Sequence, residues 1–292
     1  MILRNFIKFL LFNRFFQFFW NSKLSLDEDY NFQLLKVQNN KLLKKLYFSE
    51  FINIKNKLNH KYLYHSFNWI EIGKNIGGSE NILKTKNIII EWQKKKFSFF
   101  SFAWNFNLTA QRLINLIYNY DFYSQNLYRV ENKMLNKLIK IHKAILSFEY
   151  NFFRINDADF VGLKAILLIN LINQKNISNV EKSIIKNIRI YFNHNGSHKS
   201  YNTTIQLVAL NNLIEIKNMF LFYKIEYSEI LDFSIFKAGC YLASMFHNDN
   251  TLALFHGSNN FYLNETKILL KKIDNIKKYS STNISEGIGI FS

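Results

Sequence analysis

The chain has 292 residues, of which 48% are hydrophobic and 17% aromatic. This composition excludes an intrinsically disordered chain, because enough apolar surface is present to offset the entropy of ordering the backbone. Lys and Arg outnumber Asp and Glu by 38 to 21, and the net charge of +17 favours a polyanionic partner.

The charge has a second explanation in the composition of the chain. No proline is present, and Asn, Lys, Ile and Phe are abundant, which indicates an AT-rich coding sequence. A solvated, compositionally biased surface is therefore an equal alternative to a polyanion site. The lysines are scattered rather than arranged in one stripe, so the sequence does not favour nucleic acid as the partner.

Residues 1–20, MILRNFIKFLLFNRFFQFFW, form the most apolar segment at the start of the chain. Arg4, Lys8 and Arg14 interrupt it, which excludes a membrane span of about 18 uncharged residues. No small-residue cleavage site follows Trp20, so no clear cleavable signal peptide is present. The pattern predicts an amphipathic helix that lies on a membrane surface or packs under the rest of the protein. An unusual export signal is a third interpretation.

From about residue 60 onward, apolar residues recur three and four positions apart, which predicts eight or nine helices of about 15 to 25 residues. The clearest helix start is the capping box Ser178-Asn179-Val180-Glu181, whose helix should end near Phe192. Similar starts are expected at Ser79, Asn107, Ser124, Asn156, Asn202, Ser228 and Asn264.

Short polar loops join these helices, so consecutive helices should be antiparallel neighbours. The predicted fold class is all-α, and the pattern alone allows either a solenoid or a toroid. Residues 251–255, TLALF, predict a short strand or an extended loop. Residues 280–292 leave the helical pattern altogether.

Two histidines flank a turn in the stretch NHNGSHKS, residues 193–200. His194 and His198 are four residues apart, as in helical zinc sites, but Asn195-Gly196 lies between them and no third ligand is near. The spacing therefore favours loop residues beside a helix pair, and no metal or cofactor is expected. Cys240 is the single cysteine and lies in an apolar segment, which predicts a buried thiol.

Four segments in chain order resemble the helical domain of the heparinase II/III-like family of polysaccharide lyases. These are YLYHSFNWIEIGKNIGG at 62–78, AWNFNLTAQRLINLI at 103–117, NGSHKSYNTTIQLVALNNLIEI at 195–216 and FHNDNTLALFHGSNN at 246–260. The resemblance covers residues 60–292. It implies an incomplete α/α toroid, which in the family precedes a large β-sandwich domain.

The resemblance also implies a chemistry and a set of contact residues. The family cleaves acidic, uronate-containing glycans by β-elimination, in which a base removes the proton α to the carboxylate and an acid protonates the leaving oxygen. The positions expected to contact substrate are Trp104, Arg112, Asn195, His198 and His256. From its own pattern, Arg112 lies on the polar side of an apolar helix, and a solvated arginine is the alternative.

Catalytic residues stay unassigned, because the chain departs from the family pattern. The positions where characterised members carry a proton-transferring Tyr read Ile205-Gln206. Asp157 and Asp159 occupy the segment where a carboxylate-neutralising Asn is expected, and these acids would repel a uronate. Activity of this chain alone is therefore not expected.

The predicted organisation has three parts. Residues 1–55 form an amphipathic and irregular region, residues 56–279 form the toroid, and residues 280–292 begin a β-rich domain that the chain does not contain. The expected partners are an acidic polysaccharide, that β domain and a membrane surface at residues 1–20, and the resemblance implies the periplasm or cell envelope. A noncatalytic module that binds glycan or an envelope component and a basic nucleic-acid-binding solenoid are the alternative functions.

Overall fold

The computed structural model describes residues 58–125, 128–153, 160–247, 251–253, 256 and 263–273. Eleven α-helices and one short 3-10 helix lie in these ranges, and the described residues contain no β-strand, so the all-α prediction is confirmed. The predictions for residues 1–20, for Asn156 with Asp157 and Asp159, and for residues 280–292 lie outside the described residues.

The chain divides into two compact units, Met1–Ile155 and Asn156–Ser292. The first contains α1 (Leu58–Ser66), α2 (Trp69–Ile76), α3 (Ser79–Lys94), the 3-10 helix Phe102–Trp104, α4 (Phe106–Tyr118), α5 (Tyr120–Tyr123) and α6 (Arg129–Phe153). The second contains α7 (Phe160–Ile172), α8 (Ser178–Tyr191), α9 (Thr203–Phe222), α10 (Glu229–Ser244) and α11 (Leu263–Leu270). The division falls within residues 56–279, which the sequence predicts as one domain.

Several helices of the first unit are shorter than predicted, because single residues with left-handed backbone conformation interrupt the helical pattern. Phe67, with φ of 63°, separates α1 from α2, and Gly77, with φ of 73°, ends α2. Such conformations cannot continue a right-handed helix. The sequence between Leu58 and Lys94 therefore forms three helices.

Helix α4 is the centre of the first unit. It packs against α1, against the 3-10 helix and against α6. Ten of its residues are buried, and they include polar side chains such as Thr109, Arg112 and Asn115. A helix that is covered on nearly every side has no solvated face, and Arg112 and Asn115 accordingly donate to the backbone carbonyls of His65 and Ser66 inside the protein.

Four helices of the second unit form a closed circuit of neighbours, in which α7 contacts α8 and α9, and α10 contacts α8 and α9. Helix α7, with the sequence FVGLKAILLINLI, is apolar on all sides and almost wholly buried. This pattern is typical of a central helix rather than an amphipathic surface helix. Lys164 is its buried cation, and its Nζ donates to Asn212 Oδ1 and to Glu215 Oε2 of α9.

The helix starts follow the predicted capping chemistry only in part. Asn202 and Ser228 are confirmed as N-caps, and their side chains accept from the backbone N–H of Ile205 and Ile230. The capping box at Ser178 is wrong, because the side chain of Asn176 accepts from the Ser178 N–H instead.

Glu181, the other half of the predicted capping box, takes a distant partner. Its Oε1 accepts from the backbone N–H of Ser228 at 2.7 Å.

In the first unit, helix α4 is capped by Asn105 rather than by the predicted Asn107. Side chains two residues apart are therefore hard to distinguish as caps from sequence.

Two loops of the second unit have the same construction. Phe192 and His198 form one antiparallel bridge after α8, and Phe246 and Leu252 form another after α10. Of the predicted extended segment TLALF, the structure describes residues 251–253. None of the described helices is both long and apolar enough to traverse a lipid bilayer.

The hydrogen bonds of the two loops match residue for residue. In the first loop, Asn193 N donates to Ser197 O and Lys199 N donates to Tyr191 O. In the second, His247 N donates to Thr251 O and Ala253 N donates to Met245 O. Both loops thus fold back on the end of the preceding helix through backbone bonds.

Candidate functional site

The NHNGSHKS stretch is a tight loop at the junction of α8 and α9. We call residues 193–202 the histidine loop. Gly196 has φ of 88°, and a Cβ atom at this position would lie 2.3 Å from the backbone carbon of Lys237 in α10. The predicted Asn-Gly turn is therefore a turn whose glycine is required both by its conformation and by close approach to a neighbouring helix.

Gln206 fixes the histidine loop from its position in the first turns of α9. Its Nε2 donates to Gly196 O at 2.9 Å and to Ala238 O at 3.1 Å, and its Oε1 accepts from the backbone N–H of His198. The side chain is buried. The family resemblance predicts a proton-transferring residue at Ile205-Gln206, whereas the side chain of Gln206 holds the loop through three hydrogen bonds.

His198 is held inside the loop rather than presented to solvent. Its ring stacks on Tyr191 with an interplanar angle of 6°, and its Nδ1 lies 2.8 Å from Ser200 Oγ. Only 6% of the residue is exposed. Burial lowers the pKa of the His198 imidazole, so the ring is neutral near pH 7.

The loop after α10 meets the histidine loop at the start of α9. Asn202 Nδ2 donates to His256 O at 2.7 Å, and Thr203 Oγ1 donates to Ala253 O at 3.1 Å. The rings of Tyr201 and His256 lie 6.4 Å apart. Two segments more than fifty residues apart in sequence thus form one surface, which we call the loop cluster: residues 193–202, Ala253 and His256.

The exposed groups of the loop cluster are cationic or neutral. His194, Lys199 and His256 are exposed, and Tyr201 is half-buried. No Asp or Glu occurs between Tyr191 and Gln206. The cluster therefore offers hydrogen-bond donors and positive charge to an anionic ligand, with no carboxylate from this stretch to oppose them.

Arg112 lies in the other unit, and the alternative of a solvated side chain is wrong. The residue is fully buried in α4. Its Nη1 donates to His65 O at 2.7 Å and its Nη2 donates to Ala103 O at 2.9 Å. The sequence pattern assigned it to a polar face, but α4 has no exposed face at this position.

Trp104, the other predicted contact in this unit, is also buried and forms part of the wall around Arg112. The guanidinium carbon lies 4.2 Å from the ring centre of Trp92 and 5.2 Å from that of Trp104. Such contacts stabilise a cation that has lost its water. A substrate contact for Trp104 and Arg112 is not supported by this packing.

His142 is the partner of Arg112 that the sequence does not indicate. Arg112 Nε donates to His142 Nε2 at 2.6 Å, while His142 Nδ1 lies 2.7 Å from Leu138 O. The ring therefore carries its proton on Nδ1 and accepts at Nε2. Burial, and then the charge of Arg112, hold the pKa of His142 well below its usual range.

This arrangement predicts an acid-sensitive stability for the first unit. Because the folded-state pKa of His142 is depressed, its contribution is complete above the unfolded pKa of about 6.5 and is lost as the pH falls below that value. From His142 alone, we expect the free energy of unfolding to fall by about 2 kcal/mol between about pH 7 and pH 5. Urea unfolding followed by circular dichroism at several pH values measures this slope.

The matched variant for this measurement is His142→Gln, which keeps an acceptor for Arg112 but does not titrate. His198 also has a lowered pKa and adds to the slope in the wild type and in the variant alike. The variant should therefore show a shallower dependence on pH. Parallel slopes for the two proteins would contradict the role given to His142.

The structure thus separates the predicted site residues into two groups. Asn195, His198 and His256 belong to the loop cluster. In the first unit, by contrast, Arg112 lies in a buried aromatic cage whose walls include Trp92 and Trp104. Asn195 itself is partly buried, and its Oδ1 accepts from the Ser197 N–H. Cys240 is buried as predicted. Among the described residues, no group of three or more His, Cys, Asp or Glu side chains could hold a metal ion.

Comparison with known proteins adds no relative. The chain matches no protein-family model, no curated protein and no solved structure. The resemblance to the heparinase II/III-like family therefore stays a prediction, carried by the four segments.

Proposed function

We propose that the chain binds acidic, uronate-containing glycans at the loop cluster, as the helical domain of a heparinase II/III-like polysaccharide lyase. The observation that carries this proposal is the hydrogen bond from Asn202 Nδ2 to His256 O. It joins two of the four segments that resemble the family. Two segments that contact the same ligand must lie together in the fold, even when they are distant in sequence.

The chemistry of the surface supports an anionic sugar. Lys199 is exposed in a loop that carries no acid, and His194 and His256 add exposed imidazole groups to the loop cluster. A uronate carboxylate accepts hydrogen bonds from such donors, and the half-buried ring of Tyr201 offers aromatic surface for a pyranose face. These groups belong to loops on a helical scaffold, where binding residues are common.

The proposed role of the loop cluster is binding rather than proton transfer. Gln206 is fully engaged with Gly196, His198 and Ala238. His198 is buried and already bonded to Ser200. Neither side chain is available to exchange a proton with a sugar, so we assign no catalytic residue.

The proposal extends to the finer architecture and the location. A short loop joins α7 to α8, and another joins α9 to α10, which supports an architecture of antiparallel helical hairpins. We propose that such hairpins belong to an α/α toroid that is followed by a β-sandwich domain, and that the protein acts in the cell envelope.

The binding proposal predicts a loss of glycan affinity when the exposed donors are removed. We expect Lys199→Gln combined with His256→Asn to weaken binding of polygalacturonate by about tenfold, because each lost charge-assisted contact contributes about 1 kcal/mol or more. Asparagine is chosen because His256 has φ of 48°, a conformation that asparagine tolerates. Isothermal titration calorimetry at fixed salt measures the dissociation constant.

Two controls accompany this measurement. Lys175→Gln removes an exposed lysine at the opposite end of α8, about 20 Å from the histidine loop at 1.5 Å per helical residue, and should leave affinity unchanged. Methyl-esterified polygalacturonate, which has no charge, should bind weakly to every variant. Equal affinity for the two polymers, or equal losses for both lysine variants, would contradict a uronate site.

Ultraviolet absorbance of unsaturated uronate distinguishes lyase activity from binding alone. Product formed by the chain joined to a β-sandwich domain supports the lyase. Saturable binding without product under the same conditions supports the noncatalytic module, which the engaged Gln206 side chain favours.

A further inference from the structure

A second surface with a distinct chemistry lies in the first unit, between α3 and the 3-10 helix. Residues 94–102, KKKFSFFSF, which we call the basic-aromatic loop, begin with three exposed lysines. Two phenylalanines follow with large exposed fractions, 49% for Phe100 and 44% for Phe102. No acidic residue occurs in the loop, and the nearest one in sequence is Glu91.

Buried contacts fix the base of the loop. Trp104 Nε1 donates to Phe97 O at 3.0 Å, and the ring of Phe99 lies 5.0 Å from that of Trp104. Ser101 N donates to Ser98 O, which closes a turn around Phe100. The loop is therefore an ordered element, and the exposure of its phenylalanines follows from its fold.

One of the lysines contacts an aromatic ring of α1. Lys95 Nζ donates to Tyr64 Oη at 3.0 Å and lies 5.0 Å from the centre of the Tyr64 ring. Lys96 has φ of 45°, which turns the chain directly after α3. Positive charge and exposed aromatic surface thus occur together in one nine-residue segment.

We propose that the basic-aromatic loop binds the surface of an anionic lipid bilayer. Its lysines would contact headgroup phosphates, and Phe100 and Phe102 would enter the boundary between headgroups and acyl chains. Clustered lysines are attracted to an anionic membrane surface, and aromatic residues favour the interface. Exposed phenylalanines next to lysines suit this environment better than they suit water.

A single-stranded nucleic acid also recognises basic and aromatic groups, but it needs a charged groove that follows several nucleotides. The cations here are confined to the start of one loop, and all three are lysines rather than arginines. A plane of headgroups matches this compact cluster better than an extended strand does. The site is independent of the glycan proposal, which concerns the other unit.

The test measures partition of the full chain onto sedimented vesicles of equal parts phosphatidylcholine and phosphatidylglycerol. Replacing Lys94, Lys95 and Lys96 with glutamine should reduce the partition coefficient tenfold or more, and Phe100→Ser with Phe102→Ser should also reduce it severalfold. Vesicles of phosphatidylcholine alone should bind weakly. Raising the salt concentration should weaken binding to the anionic vesicles, because the lysine contribution is screened.

Matched variants control for total charge and total exposed aromatic surface. Lys133, Lys137 and Lys182 are exposed lysines outside the loop, and their replacement with glutamine removes the same charge. Phe233 and Phe236 are exposed phenylalanines of α10, and their replacement with serine removes a similar apolar area. Both controls should bind vesicles as the wild type does. All variants keep residues 1–20, so binding carried by that segment would leave the loop variants unchanged and overturn the proposal.

A fluorescent dye attached at position 100 tests whether the basic-aromatic loop enters the bilayer. Cys240 is buried, so a cysteine introduced by Phe100→Cys takes up a thiol-reactive, environment-sensitive dye selectively. Addition of anionic vesicles should shift the emission to the blue, whereas dye at Phe233→Cys should not respond. No shift at Phe100, or loop-dependent binding of single-stranded DNA without vesicle binding, would overturn the lipid assignment.

Discussion

Replacing Arg112 with methionine should lower the free energy of unfolding by about 3 kcal/mol, although the new side chain is apolar and of similar length. The guanidinium group donates to His142 Nε2, His65 O and Ala103 O. Methionine fills much of the space but leaves these buried acceptors without a donor. An unsatisfied buried acceptor costs about 1 to 3 kcal/mol, and the release of a desolvated cation offsets part of the total.

Urea unfolding monitored by circular dichroism measures the effect, with Arg129→Met as the control. Arg129 is exposed at the start of α6, so its loss should change stability by less than about 0.5 kcal/mol. Arg112→Lys should give an intermediate loss, because an ammonium group keeps the charge but cannot reproduce the geometry of three guanidinium nitrogens. A methionine variant as stable as the wild type would show that the cage does not depend on these hydrogen bonds.

Gly196→Ala should destabilise the second unit by about 4 kcal/mol, an unusually large effect for the addition of one methyl group. The added Cβ would lie 2.3 Å from Lys237 C, 2.4 Å from Lys237 O and 2.7 Å from Ala238 N. These are backbone atoms of α10 and cannot rotate away. The loop would have to leave the helix, and the hydrogen bonds of Gln206 would be lost with it.

Gly77→Ala separates this steric effect from the conformational one. Gly77 also has a positive φ, 73°, but nothing lies within 4 Å of its Cβ position. Its substitution should cost about 1 to 2 kcal/mol, which is the strain of the backbone conformation alone. The comparison uses chemical unfolding of both variants under one condition. Similar losses for the two variants would show that α10 yields to the added methyl group.

Helical periodicity predicted the fold class correctly, because most helices here bury one face and repeat at the expected spacing. The same periodicity misplaced Arg112, which is buried rather than solvated. Periodicity identifies a polar position but does not reveal whether a neighbouring element covers it. The carbonyl acceptor at His65 lies 47 residues away, and no local pattern indicates that it faces the guanidinium group.

The candidate site shows the same limit. The turn at Asn195-Gly196 follows from local chemistry, and its position in a loop was predicted. The contact between Tyr201 and His256 depends on how α9 and α10 are placed, which spacing alone does not determine. Glu181 is a comparable case, because its capping role was assigned locally while its carboxylate binds the backbone of Ser228.

The two matching loops have a consequence for how this scaffold could evolve. Backbone hydrogen bonds define both loops, and the bridge position holds His198 in one and Leu252 in the other. An imidazole and an aliphatic chain are thus both compatible with the same main-chain path. Mutational drift can therefore exchange the side chains displayed at these helix ends while the main-chain geometry persists, so the chemistry of the loops can diversify without loss of the fold.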